Sequence, residues 1–129
     1  MRLKKQGRVG KDYETVDGTG VSDYIIVMDL AAGHVAALRF LMEQDRSIAV
    51  NLGTGRGHSV LEVVTAFERV TGIPIAREFS ARRTGDVASC YADTSLARRE
   101  LGWQTRLSIE DMCRDSWGWQ SANPQGYPD

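Results

Sequence analysis

The stretch NLGTGRGHSVLE, residues 51–62, limits the possible folds of this chain more than any other. Leading into it, SIAVNLG at 47–53 is a compact apolar run with β-branched Ile48 and Val50, which predicts a strand buried on both faces, as in a parallel sheet. Ser59 and Glu62 then form the S-x-x-E pattern of a capping box, each side chain satisfying a free backbone N–H of a first helical turn. Val60, Val63, Val64, Phe67 and Val70 follow at helical spacing, and Gly72 supplies the C-terminal cap. A strand, a turn with Gly53, Gly55 and Gly57, and a capped helix place the chain in the α/β (α+β) class.

Such a turn raises the question of a bound dinucleotide. The fingerprint for one is G-x-G-x-x-G with an acidic residue about 20 positions on, at the end of the next strand. Here the position three after Gly55 is His58, and the distant positions hold Ile75, Ala76 and Arg77. A P-loop fails as well, because no Gly-Lys-Ser/Thr follows. The glycines therefore predict a tight turn and no cofactor site.

The remaining elements are read in the same way. DYIIV at 23–27 predicts a short strand after the turn residues DGTG, and Asp29 is placed to cap a helix running to about Gln44. Ala31, Val35, Leu38 and Met42 mark the apolar stripe of that helix, with His34 an ordinary packed or rim histidine beside it. IPIAREFS at 73–80 predicts a strand that Pro74 confines to an edge or a start. ARRTGDVASCYADTS is a polar loop leading to a short helix, SLARRELGW, with Gly102 past its end. Ser108 caps a last helix, on which Ile109, Met112, Cys113, Ser116 and Trp117 follow the 3.6 period.

Composition bounds the function classes. A length of 129 residues suits one domain, and 16 basic against 17 acidic residues give no overall field to attract nucleic acid or a membrane surface. Residues 1–11 carry five cations and no acid and predict a loose basic lead-in, with a single domain over 12–129. No apolar run reaches membrane-spanning length and the N-terminus has no hydrophobic signal core, so the expected location is the cytoplasm. Cys90 and Cys113 have no metal-ligand spacing and are expected as free thiols.

Four collinear blocks add a resemblance. DYETVDGTGVSDYIIVMDLAAGHVAAL, VNLGTGRGHSVLEVV, ARRTGDVASCYADTSLARRELGW and DMCRDSWGWQSANPQGYPD resemble the C-terminal third of the UDP-glucose 4-epimerase family, within the extended short-chain dehydrogenase/reductase superfamily. The resemblance implies a small substrate-binding-type domain lacking the N-terminal Rossmann half, which in the family holds NAD and the Tyr-x-x-x-Lys catalytic pair. Neither is expected in this chain: the residues four after Tyr13, Tyr24 and Tyr91 are Asp17, Met28 and Ser95.

For binding a UDP-sugar, the family pattern implies that Arg83 meets the diphosphate and Asp86 the uridine ribose. A guanidinium is a planar fork for phosphate oxygens and a carboxylate accepts from paired hydroxyls. Cys90 then falls at the far end of the sugar pocket, where a small side chain leaves room for an N-acetylated sugar. Two residues depart from the pattern: Ser22 stands where the family has a second diphosphate-binding arginine, and Ile26 where it has a histidine. One lost charged contact costs about 1.5–3 kcal/mol, or roughly one to two decades of affinity, so weak UDP-sugar binding is expected.

With the Rossmann half absent, the strand at 47–53 and the stripe on the helix at 29–44 need another cover, for which a homo-oligomer is the expectation. Three functions follow: an epimerase region inactive alone, a UDP-sugar-binding module complementing a separate NAD-binding partner, or a non-enzymatic, self-associating interaction protein on the same scaffold.

Overall fold

The structure is a computed structural model that describes residues 8–127. Its elements are β1 (Arg8–Gly10), β2 (Val21–Asp23), α1 (Val27–Gln44), β3 (Gly57–Ser59), α2 (Val60–Thr71), β4 (Glu78–Ser80), β5 (Ser89–Cys90), α3 (Ser95–Leu101) and α4 (Ile109–Ala122). The mixed α/β class is the one the sequence predicts. The basic lead-in falls mostly outside the described residues, but its stretch Arg8–Gly10 is a strand, paired in parallel with β4. A second small sheet has the order β3-β2-β5, antiparallel between β2 and β3 and parallel between β2 and β5.

The capping box of α2 is as predicted. Ser59 Oγ accepts from the Glu62 N–H and Glu62 Oε2 from the Ser59 N–H, at 3.1 and 2.7 Å. Gly72 closes the helix in the left-handed conformation at φ 71°. Ser108 caps α4 with Asp111 in the same reciprocal arrangement, and Gly102 ends α3 at φ 60°. Cys113 is buried on α4, and Phe67 of α2 meets Trp117 of α4 edge to face with ring centroids 6.0 Å apart.

Four predictions need correction. The run 47–53 forms no strand: it is irregular backbone with no ladder partner among the described residues, and Asn51 is tied instead through its side-chain amide to the Asp93 carbonyl at 3.2 Å. Strand residues 23–27 give way to β2 at Val21–Asp23, because Val27 already begins α1. Among the described residues, only Glu78–Ser80 of the segment 73–80 pairs, with Arg8–Gly10 of β1. Asp29 does not cap α1. The N-cap is Ile26, and Asp29 lies buried within the first turn, accepting from the Arg106 and Leu107 N–H groups at 3.0 and 2.9 Å.

Asp29 thereby staples the α3–α4 connection to α1. On the same side of α1, Gly33 lets Leu52 and Trp103 approach, since a Cβ there would lie 2.9 Å from Leu52 Cδ1 and 3.1 Å from Trp103 Cε2. The stripe read from the sequence faces the other way. Val35, Leu38 and Met42 are 47%, 60% and 86% exposed. His34 is exposed too, its Nδ1 2.8 Å from the Leu30 carbonyl oxygen.

Candidate functional site

The glycine turn at 53–57 is closed by a side chain of the protein itself. Asp23, at the end of β2, accepts through Oδ1 from the Thr54 N–H and hydroxyl at 2.9 and 2.6 Å. Its Oδ2 accepts from the Gly55 N–H at 3.0 Å and the Ala92 N–H at 3.2 Å. Burial pushes the Asp23 carboxyl up, but these hydrogen bonds outweigh it and hold the group below its ordinary value. A Cβ at Gly53 would sit 2.6 Å from Asp23 Oδ2 and 2.8 Å from Ala92 Cβ, so this glycine makes room for protein and not for a ligand. With the Thr54 and Gly55 N–H groups already taken by a carboxylate and the Arg56 N–H by the Thr54 hydroxyl oxygen, the turn does not fit the pyrophosphate of NAD.

The other end of β2 opens on a cleft of about 780 Å³. Val9 and Gly10 of β1, Tyr13, Gly20, Ser22 of β2 and Val60 of α2 line one part of it, and residues 80–83 with Asp86 and Val87 line the rest. Parallel pairing of β1 with β4 carries the 81–87 loop to this place. Gly85, at φ 90°, lets the loop turn, and the Asp86 N–H reaches back to the Arg83 carbonyl at 3.3 Å.

Arg83 and Asp86 therefore lie in one cleft, and Ser22 lies there with them. Cys90 does not line it. It is exposed on β5, where it pairs in register with Ser22. The cleft also contains a residue that sequence reasoning missed: Tyr13 donates its hydroxyl to Asp86 Oδ2 at 2.7 Å. That hydrogen bond raises the Tyr13 hydroxyl above its ordinary pKa. Asp12, also missed, accepts from the Arg82 N–H at 2.7 Å. No local spacing links positions 12 and 13 to 82 and 86, and only the β1–β4 pairing brings them together. Both cysteines are free, and no group of metal-ligating side chains occurs among the described residues. No helix there is long and apolar enough to cross a membrane.

This architecture has close counterparts. Residues 1–116 match the family model described as GDP-mannose 4,6 dehydratase, and the chain belongs to that family. Within it, the chain is 52% identical to UDP-glucose 4-epimerase of Bacillus subtilis over 126 residues, which cover 98% of this chain and 37% of that protein. It is 56% identical to the Homo sapiens UDP-glucose 4-epimerase over 118 residues, 92% of this chain and 34% of that one. The chain thus spans little more than a third of the length of these relatives.

Among solved structures, it superposes with a TM-score of 0.91 and 54% identity on the Stenotrophomonas maltophila UDP-glucose 4-epimerase with bound NAD and formylated UDP-arabinopyranose. That match covers 95% of this chain and 37% of the other. The Bifidobacterium longum enzyme in complex with NAD+ and UDP gives 0.85 and 49% identity over 97% of this chain and 37% of its own. The resemblance read from the four sequence blocks is therefore homology to a region of UDP-glucose 4-epimerases.

Proposed function

We propose that this chain is the UDP-sugar-binding region of a UDP-glucose 4-epimerase, in which Arg83 holds the diphosphate and Asp86 the uridine ribose. The observation that carries this reading is the meeting of Arg83, Asp86 and Ser22 in one open cleft, although Ser22 stands 61 and 64 residues from the other two. A fork of N–H donors and an acceptor carboxylate three residues apart on a tight loop suit a phosphate followed by a sugar diol. Cys90, beside Ser22 in register, then borders the sugar end of an assembled site, where its small side chain leaves room for an acetamido group.

As an isolated 129-residue polypeptide the chain binds but does not epimerise. Hydride transfer needs a nicotinamide, the glycine turn is filled by Asp23, and no described tyrosine is followed four positions on by lysine. Calorimetry with UDP tests the binding. Dissociation constants of about 0.1–1 mM are expected for the unaltered chain, with a loss of roughly tenfold or more for Arg83→Ala. No heat with UDP at millimolar chain would refute the reading, and interconversion of UDP-glucose and UDP-galactose by the purified chain would refute its inactivity.

A further inference from the structure

The loop carrying Arg83 and Asp86 is held from outside, by residues 10–13. Asp12 Oδ1 accepts from the Arg82 N–H at 2.7 Å, the Lys11 N–H donates to the Ser80 carbonyl at 3.1 Å, and the Tyr13 hydroxyl reaches Asp86 Oδ2 at 2.7 Å. Two glycines seat the Tyr13 ring. A Cβ at Gly10 would lie 2.7 Å from Tyr13 Cε2, and one at Gly20 would lie 3.8 Å from the same atom.

Asp86 itself is exposed on a turn, where a carboxylate is free to rotate about two side-chain bonds. A vicinal diol is bound well only by acceptors whose directions are fixed in advance, because immobilising a mobile side chain on binding costs affinity. An ionised carboxylate has about four acceptor positions. One neutral donor on Oδ2 restricts its rotation while leaving Oδ1 open and the negative charge unneutralised. An arginine in the same place would occupy both oxygens.

We propose that Tyr13 is a positioning residue that makes the cleft select ribose: its hydroxyl holds Asp86 Oδ2 so that Oδ1 is presented to the vicinal hydroxyls of a uridine nucleotide. The inference rests on the assignment of Asp86 to the ribose made above and adds the residue that sets the selectivity of that contact. Tyr13→Phe removes one oxygen and keeps the ring on its two glycines, so it separates positioning from packing.

The experiment is a ¹⁵N NMR titration of the full chain with UDP and, separately, with 2′,3′-dideoxy-UDP, for the unaltered protein, Tyr13→Phe, Asp86→Asn and the double variant. The expected result is that Tyr13→Phe weakens UDP binding by about three- to tenfold, leaves dideoxy-UDP binding unchanged, and has no further effect once Asp86 is Asn. If Tyr13→Phe leaves UDP binding unchanged while Asp86→Asn weakens it, the role of Tyr13 is overturned and the site assignment stands. Equal weakening of both nucleotides by Tyr13→Phe also overturns it, since Tyr13 then merely stabilises the loop. If Asp86→Asn does not alter UDP binding, or no resonance moves with UDP, the ribose assignment itself falls, and the proposal with it.

Discussion

Asp23 shows how one side chain can organise a region whose backbone has no regular partner. Its two oxygens gather N–H groups from Thr54, Gly55 and Ala92 and the Thr54 hydroxyl, joining the glycine turn to the segment that follows β5. Asp23→Ala strands those donors in a half-buried place and is expected to lower unfolding stability by about 2–3 kcal/mol, read from urea midpoints. Titration gives a second check. Burial raises the carboxyls of Asp23 and Asp17, but hydrogen bonds, to Thr54 and to Ser59 and Thr19 respectively, leave both below their ordinary values. The Ser108 N–H and hydroxyl, with Arg114, lower Asp111 from 3.8 to about 2. Carboxyls depressed by folding stabilise the protein above their unfolded value and lose that effect as pH falls through the folded one. The urea midpoint is therefore expected to drop between about pH 4 and pH 2, with a shallower drop in Asp111→Asn.

Among the elements, α2 is the one most fully specified by its ends. Ser59 is buried, takes part in the capping box, and also donates its hydroxyl to Asp17, which in turn holds the Thr19 N–H and hydroxyl. Ser108 makes the same cap on α4 at an exposed position. Ser59→Ala is accordingly expected to cost about 2 kcal/mol and Ser108→Ala about 1 kcal/mol, a difference that parallel thermal or urea denaturation resolves. The turn before α2 makes the complementary prediction. Gly53→Ala drives a methyl onto Asp23 and Ala92, with an expected loss of about 1–3 kcal/mol in the same assay.

At the scale of the whole molecule, α1 is the element left half covered. Asp29, Gly33 and Phe40 are buried against the chain, while Met28, Val35, Leu38 and Met42 remain exposed on the other side. With Ala31, these residues alternate three and four positions apart, the spacing that lets two helices interlock. We propose that two copies of the isolated chain associate through this face. Sedimentation equilibrium is expected to show a dimer that Leu38→Glu converts to monomer with unchanged circular dichroism, whereas a monomer for the unaltered chain at high concentration would refute the dimer.

By itself the sequence determined the features whose physics is local. The capping boxes at Ser59 and Ser108, the left-handed glycines at 72 and 102 and the α/β class all follow from groups within a few residues of one another. The four sequence blocks also pointed to Arg83 and Asp86 through family resemblance. Tertiary structure decided whatever depends on a partner distant along the chain. Whether 47–53 becomes a strand turns on a backbone lying alongside it with free N–H and C=O groups, and no described strand pairs with it. Whether Asp29 caps a helix or staples two others turns on where Arg106 and Leu107 arrive. The contact of Tyr13 with Asp86 exists only because two three-residue strands pair across 70 positions. A pairing of that kind reflects the balance between chain entropy and the burial gained elsewhere, which no local pattern of residues records.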